Sequence, residues 1–254
     1  MMHLPRHRCC TLAATFALAL LAACTTVQRR NPIATWVPSA NFDQRHAVII
    51  VLHYTQQHSV EESLSTLRGE NSTGPVSAHY LIGKDGRIFQ LVPDGARAWH
   101  AGNGRWGTIT DLNSASIGIE LDNDGASDFA EPQVESLLRL LDDLTTRLMI
   151  PKTQVIGHAD MAPSRKQDPG PRFPWSRLAA AGYGLWPRGE LGEPPAGFDP
   201  WLALSAIGYA LDDRPAAVRA YREHYRGDRA TALDAQDLRI LANLAAQRAK
   251  RPTQ

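Results

Sequence analysis

Ala47-Val48-Ile49-Ile50-Val51-Leu52 is an unbroken apolar run rich in β-branched residues. Strict alternation would mark a strand with one wet face, whereas a continuous run marks one covered on both. Such a strand belongs in the interior of a largely parallel sheet with helices on either side. It delivers His53 at its C-terminal end. In open sheets the carboxyl ends of the strands border the cleft where ligands bind.

Downstream, Val60 to Arg68 reads as a short helix, and Ala78 to Ile82 and Arg87 to Val92 as two strands. Lys84-Asp85-Gly86 joins them, and Asp-Gly favours a tight hairpin turn. Ser116 to Leu121 is a further strand. Pro132 suits the first turn of a helix. Val134, Leu137, Leu138, Leu141, Leu144 and Leu148 then follow the three/four spacing of one buried face. Gln154 to Gly157 is a short strand that ends at His158. The pattern predicts an α/β domain, a mixed central sheet flanked by helices, over residues 46–184. A Pro/Gly-rich linker follows at 185–199. Three helical stretches occupy 200–254: Trp201 to Leu211, Pro215 to Tyr225, and Ala235 to about Lys250. A small three-helix domain of that size has a marginal core and is expected to pack on the larger one.

Upstream, the chain opens on Arg6 and Arg8, then an apolar run from Thr11 to Ala23. That length fits the core of a signal peptide and falls short of a comfortable membrane span. Leu21-Ala22-Ala23-Cys24 looks like a bacterial lipobox, making 1–23 a lipoprotein signal peptide and Cys24 the lipidation site. The polar, proline-dotted stretch 24–45 reads as a tether holding the domain off the membrane. Cys9, Cys10 and Cys24 are the three cysteines of the 254-residue chain. Removal of the leader and lipidation of Cys24 would leave no thiol to pair, which excludes disulfide staples. Formal net charge is +1, so no strong field points to nucleic acid as a partner.

His53, His158 and Asp168 stand out as candidate metal ligands. Two neutral imidazoles and a carboxylate leave a fourth position for water, as catalytic zinc requires. The same donor set also serves iron oxygenases, although the long helix from Pro132 does not suit the strand-rich barrel expected of those enzymes. A binding module that holds its ligand without cutting is a third reading of the same residues.

Five blocks appear in order: Leu52-His53-Tyr54-Thr55, Ser77-Ala78-His79-Tyr80-Leu81-Ile82, Ala98-Trp99-His100-Ala101-Gly102, Ser116-Ile117-Gly118-Ile119-Glu120-Leu121, and Gly157-His158 with Lys166-Gln167-Asp168-Pro169-Gly170. Together, over roughly Ala47 to Ala180, they resemble the zinc-dependent N-acetylmuramoyl-L-alanine amidases of the type 2 family. With the lipobox and the C-terminal helices, the chain is most similar to the outer-membrane amidase lipoproteins of Gram-negative bacteria.

The resemblance implies one zinc ion on His53, His158 and Asp168, with Glu120 as catalytic acid/base and Lys166 as the active-site lysine. It further implies peptidoglycan or muropeptides as substrate, cell-wall turnover as the setting, and the periplasmic face of the outer membrane as the location. Gly118, beside Glu120, is expected to leave room for a ligand. Trp99 and His100 are expected to wall the sugar–peptide groove together with Tyr54, and His79 to orient the site from within the sheet. The C-terminal helices, particularly Arg219 to Tyr225, resemble the peptidoglycan-binding helical domains found beside such amidases.

Overall fold

The computed structural model describes residues 31–44, 46–69, 71 and 74–249, so the leader and Cys24 lie outside the described residues. The first half of the chain runs β1 (Thr35–Trp36), β2 (Phe42–Gln44), β3 (Ile49–Tyr54), α1 (Val60–Leu67), β4 (Tyr80–Ile82), β5 (Ile88–Gln90), β6 (Ala96–Ala98), α2 (Leu112–Ala115) and β7 (Ser116–Leu121). The second half runs α3 (Glu131–Arg147), β8 (Val155–Gly157), α4 (His158–Met161), α5 (Trp175–Ala180), α6 (Pro200–Ile207), α7 (Arg214–Tyr225) and α8 (Ala235–Ala249).

Six strands form one sheet in the order β1-β5-β4-β7-β3-β8. The apolar run supplies β3, which pairs in parallel with β7 on one side and β8 on the other. β4 pairs in parallel with β7 and antiparallel with β5, so the Asp85-Gly86 hairpin makes the sheet mixed. Gly86 sits at φ 84°, the left-handed region this turn needs and glycine enters without steric cost.

The two faces of β3 enter different cores. Ile50 and Leu52 join Ile117, Ile119 and Leu121 of β7 under Leu137, Leu140, Leu141 and Leu144 of α3. Ile49 and Val51 join Ile156 of β8 and, from the C-terminal helices, Leu204, Ile207, Val218, Tyr221, Leu241 and Leu244. Burying an aliphatic or aromatic side chain of this size is worth about 1.5–3 kcal/mol. Those six side chains therefore contribute on the order of 10 kcal/mol to this second core, shared between the packing of α6–α8 on one another and on the rest of the domain.

Polar contacts tie the same helices to the ligand-bearing end of β8. Asp160 accepts hydrogen bonds from the Gly157 N–H (2.7 Å), the Tyr209 hydroxyl (2.6 Å) and His224 Nδ1 (2.7 Å). The His224 ring stacks on Trp175 with centroids 3.7 Å apart. Residues 185–199 hold no helix or strand, yet Arg188 and Asn243 of α8 exchange two hydrogen bonds across them.

One sequence expectation changes here. Residues 31–44 are built into the domain instead of forming part of a free tether. β1 adds to the sheet edge in parallel with β5, and β2 pairs antiparallel with β6. Asn31 is buried, accepting no solvent role: its N–H donates to Gln90 Oε1 (2.9 Å) and its side chain to Asp143 (2.7 Å). Strands of two and three residues carry no periodicity, and it is the available sheet edge that satisfies their backbone groups. The expected packing of the C-terminal helices is seen as well, and it takes up most of the segment Arg219 to Tyr225. Ala220, Tyr221, Arg222, Glu223 and His224 are all buried, and the Arg219 guanidinium donates to the Pro163 carbonyl.

Candidate metal centre and active site

Three neighbouring strands bring the chemistry to one edge. Alternation along β3 sends Ile49, Val51 and His53 to the same face. His53 and Glu120 are register partners in the parallel β3–β7 pair, so Glu120 projects beside His53 one strand spacing away. On the other side of β3, β8 ends at Gly157 and His158 opens α4. Asp168 returns from the following loop, which the Ala159 N–H holds by a 2.8 Å bond to the Asp168 carbonyl.

The ligand atoms form a nearly equilateral triangle. His53 Nδ1 lies 2.9 Å from His158 Nδ1 and 3.0 Å from Asp168 Oδ2, and His158 Nδ1 lies 2.9 Å from Asp168 Oδ2. All three residues are buried. His158 Nε2 donates to the Ala101 carbonyl at 2.9 Å, so in neutral His158 the Nδ1 lone pair faces the triangle. Burial, then the neighbouring His158, lower the His53 imidazole to about 4 against the opposing pull of Asp168. It is therefore neutral at physiological pH. Burial raises the Asp168 carboxyl, but the two imidazoles outweigh it and hold the group well below the usual carboxylate range. Two lone pairs and an anionic oxygen so close together are a donor set for a divalent cation. The residues fit a metal centre.

Glu120, the register partner of His53, lines the same cavity as the triangle. Burial, then the charge of Asp168, push its carboxyl up to about 8, while Lys166 pulls it back. Its Oε2 has no hydrogen-bond partner among the described residues, an acceptor held ready in a desolvated place. A cavity of about 510 Å³ opens beside it, lined among others by His53, Tyr54, Trp99, His100, Glu120, His158, Lys166 and Asp168. Tyr54 is half-buried on the wall, and burial followed by Asp168 raises its phenol. The Trp99 N–H is fixed on Ser77 Oγ at 2.9 Å. His79 lies in the sheet, its Nδ1 accepting from the Gly118 N–H and its Nε2 donating to the Ala96 carbonyl.

The space beside Gly118 is occupied by protein. A Cβ there would lie 2.4 Å from His100 Cγ, so the glycine makes room for that ring and not for a ligand. His100 Nδ1 is in turn 3.0 Å from His53 Nε2. Sequence reading also passed over Asn113 and Arg165, which hold the His100–Ala101 backbone, and Asp160. None belongs to a spacing pattern; Asp160 alone carries a local signal, standing three residues after the strand end it caps.

Residues 43–171, just over half the chain, match the family described as N-acetylmuramoyl-L-alanine amidase. The N-acetylmuramoyl-L-alanine amidase AmiD of Escherichia coli (strain K12) is 42% identical over 156 residues, which is 55% of this chain and 54% of that protein. The chain thus spans about half the length of the curated relatives it matches. Among solved structures, the complex of E. coli AmiD with anhydro-N-acetylmuramic acid-L-Ala-D-gamma-Glu-L-Lys superposes with a TM-score of 0.71 at 31% identity, covering 86% of this chain and 93% of that one. AmpDh3 of Pseudomonas aeruginosa, in complex with anhydromuramic pentapeptide, gives a TM-score of 0.69 at 31% identity, covering 90% and 99%. From the mixed sheet, the histidine–aspartate triangle at its edge and these matches, the chain belongs to the N-acetylmuramoyl-L-alanine amidase family.

Proposed function

We propose that the chain is a zinc hydrolase that cleaves the amide between the lactyl group of N-acetylmuramic, or anhydro-muramic, acid and L-alanine in peptidoglycan. Its role is cell-wall turnover or recycling. The observation that carries this reading is the triangle of His53, His158 and Asp168 with Glu120 paired beside it. The substrates in the names of the related amidases support it.

Bound at this site, zinc would supply the Lewis acidity that lowers the pKa of a water to about 7. His53, His158 and Asp168 would hold the ion, the two imidazoles through nitrogen and Asp168 through an anionic oxygen that would offset one of its charges. Glu120 Oε2 takes a proton from the attacking water and returns it to the departing alanine nitrogen, which must be protonated to leave. Next to a dication the raised Glu120 carboxyl ionises, because the added charge outweighs burial. Lys166 lines the same cavity, and its compact charge suits the carbonyl oxygen as that oxygen becomes negative. Tyr54 and Trp99 offer aromatic wall to the sugar–peptide chain.

For placement, we propose a protein lipidated at Cys24 and held at the periplasmic face of the outer membrane. No helix among the described residues is long and apolar enough to cross a membrane. Several acyl chains on one cysteine give stable anchoring where a single chain does not.

The decisive test is incubation of the protein lacking residues 1–23 with intact sacculi and with anhydro-muropeptides, followed by mass analysis. Peptides starting at L-alanine, lost on chelation and regained with zinc, are the expected products. Sacculi that retain the protein but stay chemically intact would replace the hydrolase with a binder. For the anchor, Cys24→Ser should move the full chain from the membrane fraction to the soluble one.

A further inference from the structure

Both imidazole ligands have their outer nitrogens held by one dipeptide, His100-Ala101. Some of the groups around them can act in only one direction. A carbonyl only accepts, so His158 Nε2, 2.9 Å from the Ala101 oxygen, must carry the proton. Ser116 donates its hydroxyl proton to the Leu112 carbonyl, which leaves Ser116 Oγ as the acceptor for His100 Nε2 at 3.3 Å. In neutral His100 the Nδ1 is then an acceptor, and it takes the proton of His53 Nε2 at 3.0 Å. His53 Nδ1 is left with its lone pair toward Asp168. The relay, from a helix carbonyl through a serine and two rings, specifies the ligand form of His53.

The dipeptide is itself clamped. The N–H groups of His100 and Ala101 both donate to Asn113 Oδ1, at 3.0 and 2.8 Å. Asn113 lies on α2, immediately before β7, the strand that carries Glu120. Arg165 adds a 2.7 Å bond to the Ala101 carbonyl from the opposite side. The His100 ring is seated against Gly118 of β7, where a side chain would displace it.

We propose that Asn113 and His100 are positioning residues for the metal centre, fixing the orientation and bare nitrogen of His53 and His158 together, with His100 doing so from its place on the cavity wall. The inference rests on the metal-centre reading above. Outer partners of this kind raise ligand basicity and fix ring orientation, and their loss costs about 10–100-fold in metal affinity or activity.

The test measures zinc affinity by competition with a chromophoric chelator, and the visible spectrum of the cobalt-substituted protein, in two pairs of variants. Asn113→Leu removes the shared acceptor, whereas Asn113→Asp keeps it. His100→Ala removes the ring, whereas His100→Asn puts an oxygen where Nδ1 stood. Asn113→Leu and His100→Ala should each weaken zinc binding about 10–100-fold and shift the cobalt bands. The two conservative changes should restore most of the affinity and the wild-type spectrum. Folding is followed by circular dichroism; if Asn113→Leu does not fold, the His100 pair decides, because that half-buried ring lies on the cavity wall. Wild-type affinity and spectrum in His100→Ala would overturn this inference while leaving the metal centre intact. A wild-type protein that takes up no zinc would overturn both.

Discussion

His53 and Glu120 face each other across the β3–β7 ladder as register partners, locked at one strand spacing. The proposed ligand and the proposed base therefore cannot drift apart without breaking a parallel pair in the middle of the sheet. A slip by one residue would turn Glu120 into the α3 core. Precision here comes from backbone hydrogen bonds, not from a loop.

Glu120→Gln keeps the shape and the ladder while removing the acceptor. Hydrolysis of anhydro-muropeptides, followed by chromatography, should fall about 10²–10⁴-fold. Zinc content by elemental analysis should stay at one ion per chain. Activity near wild type would show that the proton goes elsewhere.

Metal binding to the folded chain should appear as stability. At free zinc about 100 times Kd the folded state should gain about 2.7 kcal/mol. Calorimetric melting midpoints should thus rise with zinc concentration, and Asp168→Ala should abolish the rise. An equal rise in that variant would place the ion somewhere other than the triangle.

Gly118→Ala puts a methyl group 2.4 Å from His100 Cγ, well inside contact distance. Overpacking of this kind costs about 1–3 kcal/mol. The ring must move, so lowered stability and weakened zinc binding should occur together. Denaturant unfolding and metal titration on the same sample check both.

Glu223 provides a pH signature away from the triangle. Its side chain is 3% exposed and bonded to Arg229 through Oε1, while Oε2 lacks a partner among the described residues. Burial lifts its carboxyl to about 7, with Arg229 and Arg219 opposing. A folded-state pKa above the unfolded one favours folding in acid, and the advantage fades as pH rises through about 7. Glu223→Gln should match wild type near pH 4 and be the more stable by pH 8, by at most about 3 kcal/mol less the lost Arg229 pairing. Melting midpoints of the two proteins that run parallel across this range would rule the account out.

The sequence displays β3, β7 and α3 because each buries a continuous face, and burial leaves periodicity behind. Asp85-Gly86 announces its hairpin for a similarly local reason. β1 and β2 have no such mark, since two or three residues join a sheet only when an edge is offered. The helices α6–α8 are legible as helices, but their seat on the far face of β3 is not. Ile49 and Val51 look the same in sequence whatever covers them. Within the site, His53, His158, Asp168 and Glu120 were reached chiefly by resemblance, and their convergence needed the register of β3 with β7. His100 does line the cavity, but its bond to His53 is not legible in the sequence, because the direction of a loop imidazole depends on the glycine opposite and the asparagine behind it.

Asp160 and the shared apolar face beneath α6–α8 deny this molecule a hinge. An appended grip on a swivel could hold one disaccharide and sample scissile bonds at several distances along a glycan. Here α6–α8 stand at a constant offset from the cavity, so in the proposed amidase any hold that those helices took on the polymer would act as a gauge. Which amides along a strand came within reach would then be settled by the repeat of the polymer itself.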